Sequence, residues 1–169
     1  TITVKPILVS SVTLDKQTAE VLRGEKVTLS ATVSPADADN TTLVWTSSDE
    51  TVATVQNGVV TTLKAGEAVI TVTTTDGTDL SASCTVTVKP ILVSFIALDK
   101  QTAELLRGET VELKATFFPE DADNTTLVWT SSDETVATVQ DGIVTTLKSG
   151  RAVITVSTMD GSNLSSTCM

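Results

Sequence analysis

Apolar and polar residues alternate along most of this chain. Val27, Leu29, Ala31 and Val33 are interleaved with Thr28, Ser30 and Thr32, and Ala68, Ile70 and Val72 with Val69, Thr71 and Thr73. A period of two puts successive side chains on opposite faces of an extended strand. Between such runs lie Arg23-Gly24-Glu25, Ser34-Pro35-Ala36-Asp37, Asn57-Gly58, Ala65-Gly66 and Asp76-Gly77, residue types that turn a chain. Asn57-Gly58 predicts a two-residue hairpin, because a type I′ turn needs positive φ at both central positions. The pattern predicts strands over residues 8–14, 26–33, 42–47, 53–56, 59–63, 67–74 and 81–88, with a single helical turn allowed near Asp49. Short strands in this number, with a turn every 8–12 residues or so, predict an immunoglobulin-like β-sandwich in which Trp45 is the buried core tryptophan.

The whole pattern then occurs again. Pro6, Gly24, Trp45, Gly66 and Cys84 recur as Pro90, Gly108, Trp129, Gly150 and Cys168 at a constant spacing and without insertions, and about three positions in four are identical. The fold class is therefore all-β: two tandem sandwiches of about seven strands each, over residues 5–88 and 89–169. The copies also test the strand reading. Val27, Leu29 and Ala31 are matched by Val111, Leu113 and Ala115, whereas Thr28 and Ser30 become Glu112 and Lys114. One face accepts charge and the other does not change, as expected for a sheet with one face in a core and one in water.

These residues resemble a known family. Leu29-Ser30-Ala31-Thr32-Val33-Ser34-Pro35, Val44-Trp45-Thr46-Ser47-Ser48-Asp49, Val52-Ala53-Thr54-Val55, Gly58-Val59-Val60-Thr61 and the run Lys64 to Val72 look like the bacterial immunoglobulin-like group 2 (BIG2) domain, with a second copy from Leu113 to Val156. The resemblance implies an extracellular or cell-surface sandwich of bacterial, archaeal or phage origin, one of several in a surface protein, as in intimin- and invasin-type adhesins. It implies no active site.

Composition narrows the chemistry. The chain of 169 residues has a net charge of −10 and no His or Tyr. Nucleic acid needs clustered Lys and Arg, and an anionic membrane surface needs the same, so neither is an expected partner. No apolar run is long enough to insert into a membrane. Without His the commonest general base and metal ligand are missing, and no Gly-x-Ser-x-Gly elbow occurs; an enzyme is not expected. Each unit has a single Cys on the apolar side of a strand, so Cys84 and Cys168 are expected as buried core residues beside Trp45 and Trp129. No cofactor is expected. Acidic loop residues are the only group that could take Ca²⁺, with Asp121, Asp123 and Asp160 as the candidates in the second unit. Asp and Asn also occur in such places because they make turns.

Two further features set expectations. All three Phe residues lie in the second unit, where Phe95, Phe117 and Phe118 replace Ser11, Val33 and Ser34. Phe117 keeps the inward register. Phe95 and Phe118 are expected near each other at the pole facing the first unit, as an interdomain or partner contact. The stiff junction at Pro90 and the basic end formed by Arg23, Lys26 and Lys64 are expected to join in that contact. The second feature is the frame. Thr1-Ile2-Thr3-Val4-Lys5-Pro6 matches Thr85-Val86-Thr87-Val88-Lys89-Pro90, so residues 1–4 correspond to a last strand, while the second unit's own last strand is truncated after Cys168. Either a repeat array has been cut out of phase, or Thr1, Ile2, Thr3 and Val4 complete the open edge of a neighbouring subunit. Three functions follow as expectations: a stalk or spacer whose partners are neighbouring repeats, a filament subunit whose partners are copies of itself, or an adhesin segment that takes a host surface protein or glycan through the second unit.

Overall fold

Strand formation follows the two-residue period over most of the chain. The computed structural model describes residues 1–169 and contains two compact units, Thr1–Pro90 and Ile91–Met169. The first has nine strands: β1 (Ser11–Leu14), β2 (Thr18–Leu22), β3 (Lys26–Thr28), β4 (Ala31–Ser34), β5 (Leu43–Ser47), β6 (Ala53–Gln56), β7 (Val59–Thr62), β8 (Gly66–Thr74) and β9 (Ser81–Lys89). One sheet has the order β2-β9-β8-β5. The facing layer is formed by β3-β7-β6 and by the β1-β4 pair. All pairings are antiparallel except that of β2 with β9, which is parallel from Thr18↔Thr85 to Leu22↔Lys89.

Two details depart from the pattern-based expectation. The run 26–33 is interrupted: Leu29 N–H makes a last in-register bond to the Gly58 carbonyl at 2.8 Å, and Ser30 N–H then turns to Asp15 Oδ1 at 2.8 Å. Asp15 thus holds the break between β3 and β4, and Lys16 Nζ bonds the Thr28 carbonyl at 3.0 Å beside it. The second departure is β2, which the pattern left as a connection. Thr18-Ala19-Glu20-Val21-Leu22 crosses from one layer to the other and runs alongside β9, burying Val21.

The expected I′ hairpin is present. Asn57 has φ of 49° and Gly58 of 80°, and Trp45 lies against it, so that a Cβ at Gly58 would sit 3.2 Å from the indole. Inside, Leu29, Val52, Ala53, Val60, Ala68, Ile70, Cys84, Val86 and Val88 form the core with Val21, and Trp45 packs on it from a half-buried position.

The second unit repeats this plan with eight strands: β10 (Phe95–Leu98), β11 (Thr110–Glu112), β12 (Ala115–Phe118), β13 (Leu127–Ser131), β14 (Ala137–Gln140), β15 (Ile143–Thr146), β16 (Ile154–Thr158) and β17 (Ser165–Cys168). Its layers are β13-β16-β17 on one side and β11-β15-β14 with β10-β12 on the other. The hairpin at Asp141 (φ 51°) and Gly142 (φ 83°) is again I′-like. Its buried core is smaller, with Leu113, Ala137, Val144, Ile154 and Cys168 at the centre and Trp129 against them. Ser34–Pro35 and Phe118–Pro119 are cis peptide bonds, one in each unit.

Candidate functional site

The acidic loops come first, because they carried the Ca²⁺ candidates. In the first unit Asp39 Oδ2 accepts the Ile7 N–H at 2.6 Å, and Asp76 Oδ2 accepts the Val9 N–H at 2.6 Å. Asp76 Oδ1 also takes the N–H and hydroxyl of Thr78, at 3.1 and 2.5 Å. The second unit copies both. Asp123 Oδ2 accepts Ile91 N–H at 2.7 Å, and Asp160 accepts the N–H of Val93 together with the N–H and hydroxyl of Ser162. Two carboxylates from different loops therefore fasten the segment that leads into each sandwich. Hydrogen bonds to the charged form hold the Asp76 and Asp160 carboxyls down at about 2. The leading donors are the Thr78 and Ser162 hydroxyls.

Asp121 lies exposed two residues before Asp123. No three His, Cys, Asp or Glu side chains converge as a metal set. Asn57 stands apart from this end: the hairpin is level with Leu29, while strand β4 runs on to Ser34 before the loop that carries Asp39. The fastening role was missed in the sequence because Asp at a loop is also what a turn requires. The available signal was the 84-residue repetition of both Asp positions together with Ile7 and Val9.

At the other end of the first unit, Thr62 is buried, and its hydroxyl lies 2.9 Å from the Leu22 carbonyl and 2.7 Å from that of Glu25. This brings the Arg23-Gly24 turn and Lys26, the first residue of β3, beside the loop carrying Lys64. Arg23 N–H bonds the Lys89 carbonyl at 3.0 Å, next to Pro90. Cys84 and Cys168 are free thiols in the two cores, and burial pushes both thiols up in pKa. Phe95 and Phe118 are direct cross-strand partners in β10 and β12, with 54% and 64% of their surfaces exposed.

The two units differ most at one sheet edge. In the first, β9 extends to Lys89, paired with β8 down to Gly66↔Val88 and with β2 on its other side. In the second, β17 pairs with β16 only as far as Ile154↔Cys168. Met169 follows, its N–H on the Gln101 carbonyl and its carbonyl on the Ala103 N–H, both at 2.9 Å. Beyond it, Thr102–Leu106 and Gly150–Val153, the counterparts of β2 and of the start of β8, form no strand. The side chains that close over this place in the first unit are correspondingly less covered in the second. Val21 and Ala68 are buried, whereas Leu105 and Ala152 are half-buried and Leu106 is 75% exposed. Residues 1–4 are exposed and outside any strand, with Ile2 at 93% and Val4 at 88%.

The chain is 40% identical over 164 residues to an uncharacterized protein of Clostridium acetobutylicum, covering 96% of this chain and 17% of that protein. It is 36% identical over 160 residues to the Ig-like virion protein of Serratia phage KSP90, covering 92% of this chain and 62% of that protein. It thus spans less than two thirds of either relative. Among solved structures it is similar to domains 1–6 of the surface layer protein SbsC, at 19% identity and a TM-score of 0.42, over 97% of this chain and 28% of the other. The bacterial Ig-like domain (group 2) matches twice, over residues 8–86 and 92–168. The chain therefore belongs to the bacterial Ig-like domain (group 2) family, as two tandem copies.

Proposed function

We propose that this chain is a non-catalytic structural segment, a stalk or spacer, of an extracellular prokaryotic or phage surface protein. The observation that carries this reading is the use made of its polar side chains. Asp39, Asp76, Asp123 and Asp160 secure backbone N–H groups of the segment that leads into each sandwich. Asp15 and Asp99 do the same at the break before β4 and β12. These six carboxylates are engaged in holding the module's shape, and the chain offers no His for acid–base or metal chemistry. Similarity to an Ig-like virion protein supports a place in a surface assembly.

A specific observation favours a second reading. Phe95 and Phe118 form an exposed aromatic pair on the second unit, where the first has Ser11 and Ser34. On that reading the second unit is an adhesin segment that holds a surface protein or glycan. The two are separated by measuring binding of the chain and of the F95S/F118S double variant to immobilised glycans and surface proteins. A spacer gives no saturable binding by either. Saturable binding that the double variant loses overturns the spacer reading in favour of the adhesin.

A further inference from the structure

We propose that the sheet edge formed by β5 in the first unit, and by β13 in the second, pairs with the same strand of a second copy of this chain. The inference goes beyond the spacer and adhesin readings and holds under either. β5 is the outermost strand of β2-β9-β8-β5, and β13 is that of β13-β16-β17. The two have one sequence, Leu-Val-Trp-Thr-Ser, at residues 43–47 and 127–131.

The register fixes which backbone groups face outward. Ser48 N–H bonds the Val69 carbonyl at 2.9 Å, and Thr75 N–H bonds the Thr42 carbonyl at 3.2 Å. In an antiparallel ladder alternate residues bond a given neighbour, so Val44 and Thr46 bond β8 at Thr73 and Thr71. Leu43, Trp45 and Ser47 therefore turn their N–H and C=O groups away from the sheet. In the second unit Ser132 N–H bonds the Val153 carbonyl at 2.9 Å and Met159 N–H the Thr126 carbonyl at 3.2 Å. Leu127, Trp129 and Ser131 are turned outward by the same alternation.

These edges lack the usual guards. A sheet margin is normally blunted by charge, proline or a bulge, and Leu-Val-Trp-Thr-Ser has none of them in a chain of net charge −10. Other margins of the first unit differ. β2 carries Glu20, ion-paired with Lys89 at 2.5 Å. β6 offers a shorter row, because Ala53 N–H already bonds the Asp49 carbonyl at 3.0 Å.

The strand is also complementary to itself. Antiparallel pairing centred on Trp45 sets Trp45 opposite Trp45 of the second copy, Leu43 opposite Ser47 and Val44 opposite Thr46. Every outward N–H then meets a carbonyl. Val44, 49% exposed, gains a β-branched cross-strand neighbour. On the outer face it lies in a row with Thr73 and Ser81, and Thr46 in a row with Thr71 and Ser83, so no charge meets the incoming strand. Asp49 falls opposite Thr41. At about 3.4 Å per residue the two Asp49 carboxylates stand about 27 Å apart along the strands, well beyond a Debye length of about 10 Å at 0.1 M salt. Two copies of an acidic chain repel wherever their acidic loops meet, and this edge brings none of those loops together. The contact is isologous, each edge being filled by its own counterpart.

The test is light scattering and residue-resolved amide exchange of the 169-residue chain over a concentration series. The expected result is a mass that rises to at least twice that of one chain. With it the amides of Leu43, Trp45 and Ser47, of Leu127, Trp129 and Ser131, or of both sets gain about tenfold protection or more. The variant V44K/T46K/V128K/T130K changes only exposed positions and sets lysines against each other in every form of the pairing, so it should stay monomeric. The variant V44E/T46E/V128E/T130E should do the same. Mixed in equal amounts the two should assemble, because each Lys then faces a Glu. A monomer of the unaltered chain at every concentration overturns the proposal, as does assembly that leaves those amides unprotected. Assembly that survives the four lysines overturns it too, and so does a mixture of the two folded variants that stays monomeric.

Discussion

At the scale of single residues, Gly58 and Gly142 set the hairpin that carries each tryptophan. Gly58 has φ of 80° and Gly142 of 83°, a region that side chains avoid. A Cβ at Gly58 would also press into the Leu29 carbonyl oxygen, and one at Gly142 would lie 2.6 Å from that of Leu113. Gly24, at φ of 87°, has open space around its missing Cβ. G24A therefore carries only backbone strain, whereas G58A adds a clash with the backbone of Leu29 at the strand break. G58A is expected to lower stability by about 1–3 kcal/mol or more, and by more than G24A does. Urea unfolding followed by tryptophan fluorescence checks the ranking, with a shifted midpoint and an unchanged slope.

The carboxylates that fasten the segments leading into each sandwich make a second prediction at this scale. Asp76 and Asp160 are held at about 2, below the ordinary carboxylate value of 3.8. Below its ordinary pKa the unfolded chain binds a proton that the folded chain refuses, so folding loses support as acid is added. The contribution of these two residues is complete above about pH 4 and disappears as pH falls through about 2. D76N and D160N should flatten the acid limb of a stability profile measured between pH 5 and pH 2, and leave its slope from pH 5 to pH 7 unchanged.

At the scale of elements, the two units are a controlled comparison. β2 forms in parallel with β9, whereas its counterpart, residues 102–106, forms no strand. Val21 and Ala68 are buried in the first unit, whereas their counterparts Leu105 and Ala152 are half-buried and the second core is smaller. In this chain the second unit should therefore unfold at the lower urea concentration. Single-tryptophan variants read this directly, W129F reporting on the first unit and W45F on the second.

The same comparison explains what was legible in the sequence. The strands β5 to β9 follow from alternation and turns, since both faces of each are decided by neighbours close in sequence. The hairpin at Asn57-Gly58 was legible for the same reason. β2 was not, because Thr18–Leu22 becomes a strand only through a parallel pairing with residues some 67 positions later. The break at Leu29-Ser30 was also hidden. Its cause is Asp15, whose carboxylate reaches the Ser30 N–H across the β1–β4 pair. The use of Asp123 and Asp160 as backbone acceptors was hidden too, since it depends on which N–H groups the fold brings to them.

At the scale of the whole molecule, 21 acidic residues face 11 basic ones, for a net charge of −10. That excess opposes the compact state through self-repulsion while favouring solubility. The salt bridges seen here are exposed, such as Lys16–Asp15 and Lys100–Asp99, and exposed pairs contribute little to stability. Repulsion among the remaining carboxylates is therefore the larger electrostatic effect, and it is the one that salt screens over a Debye length of about 10 Å at 0.1 M. Thermal stability of the chain, measured dilute at pH 7, should rise as sodium chloride is increased from low ionic strength. The short hydrogen bonds at Asp76 and Asp160 are local and should persist at high salt, so the acid limb they create should be retained there. A melting temperature that falls with added salt would mean that attractive pairs outweigh the net charge. In that case the acidic surface would be part of the module's stability, where the geometry instead makes it a solvated exterior around two cores.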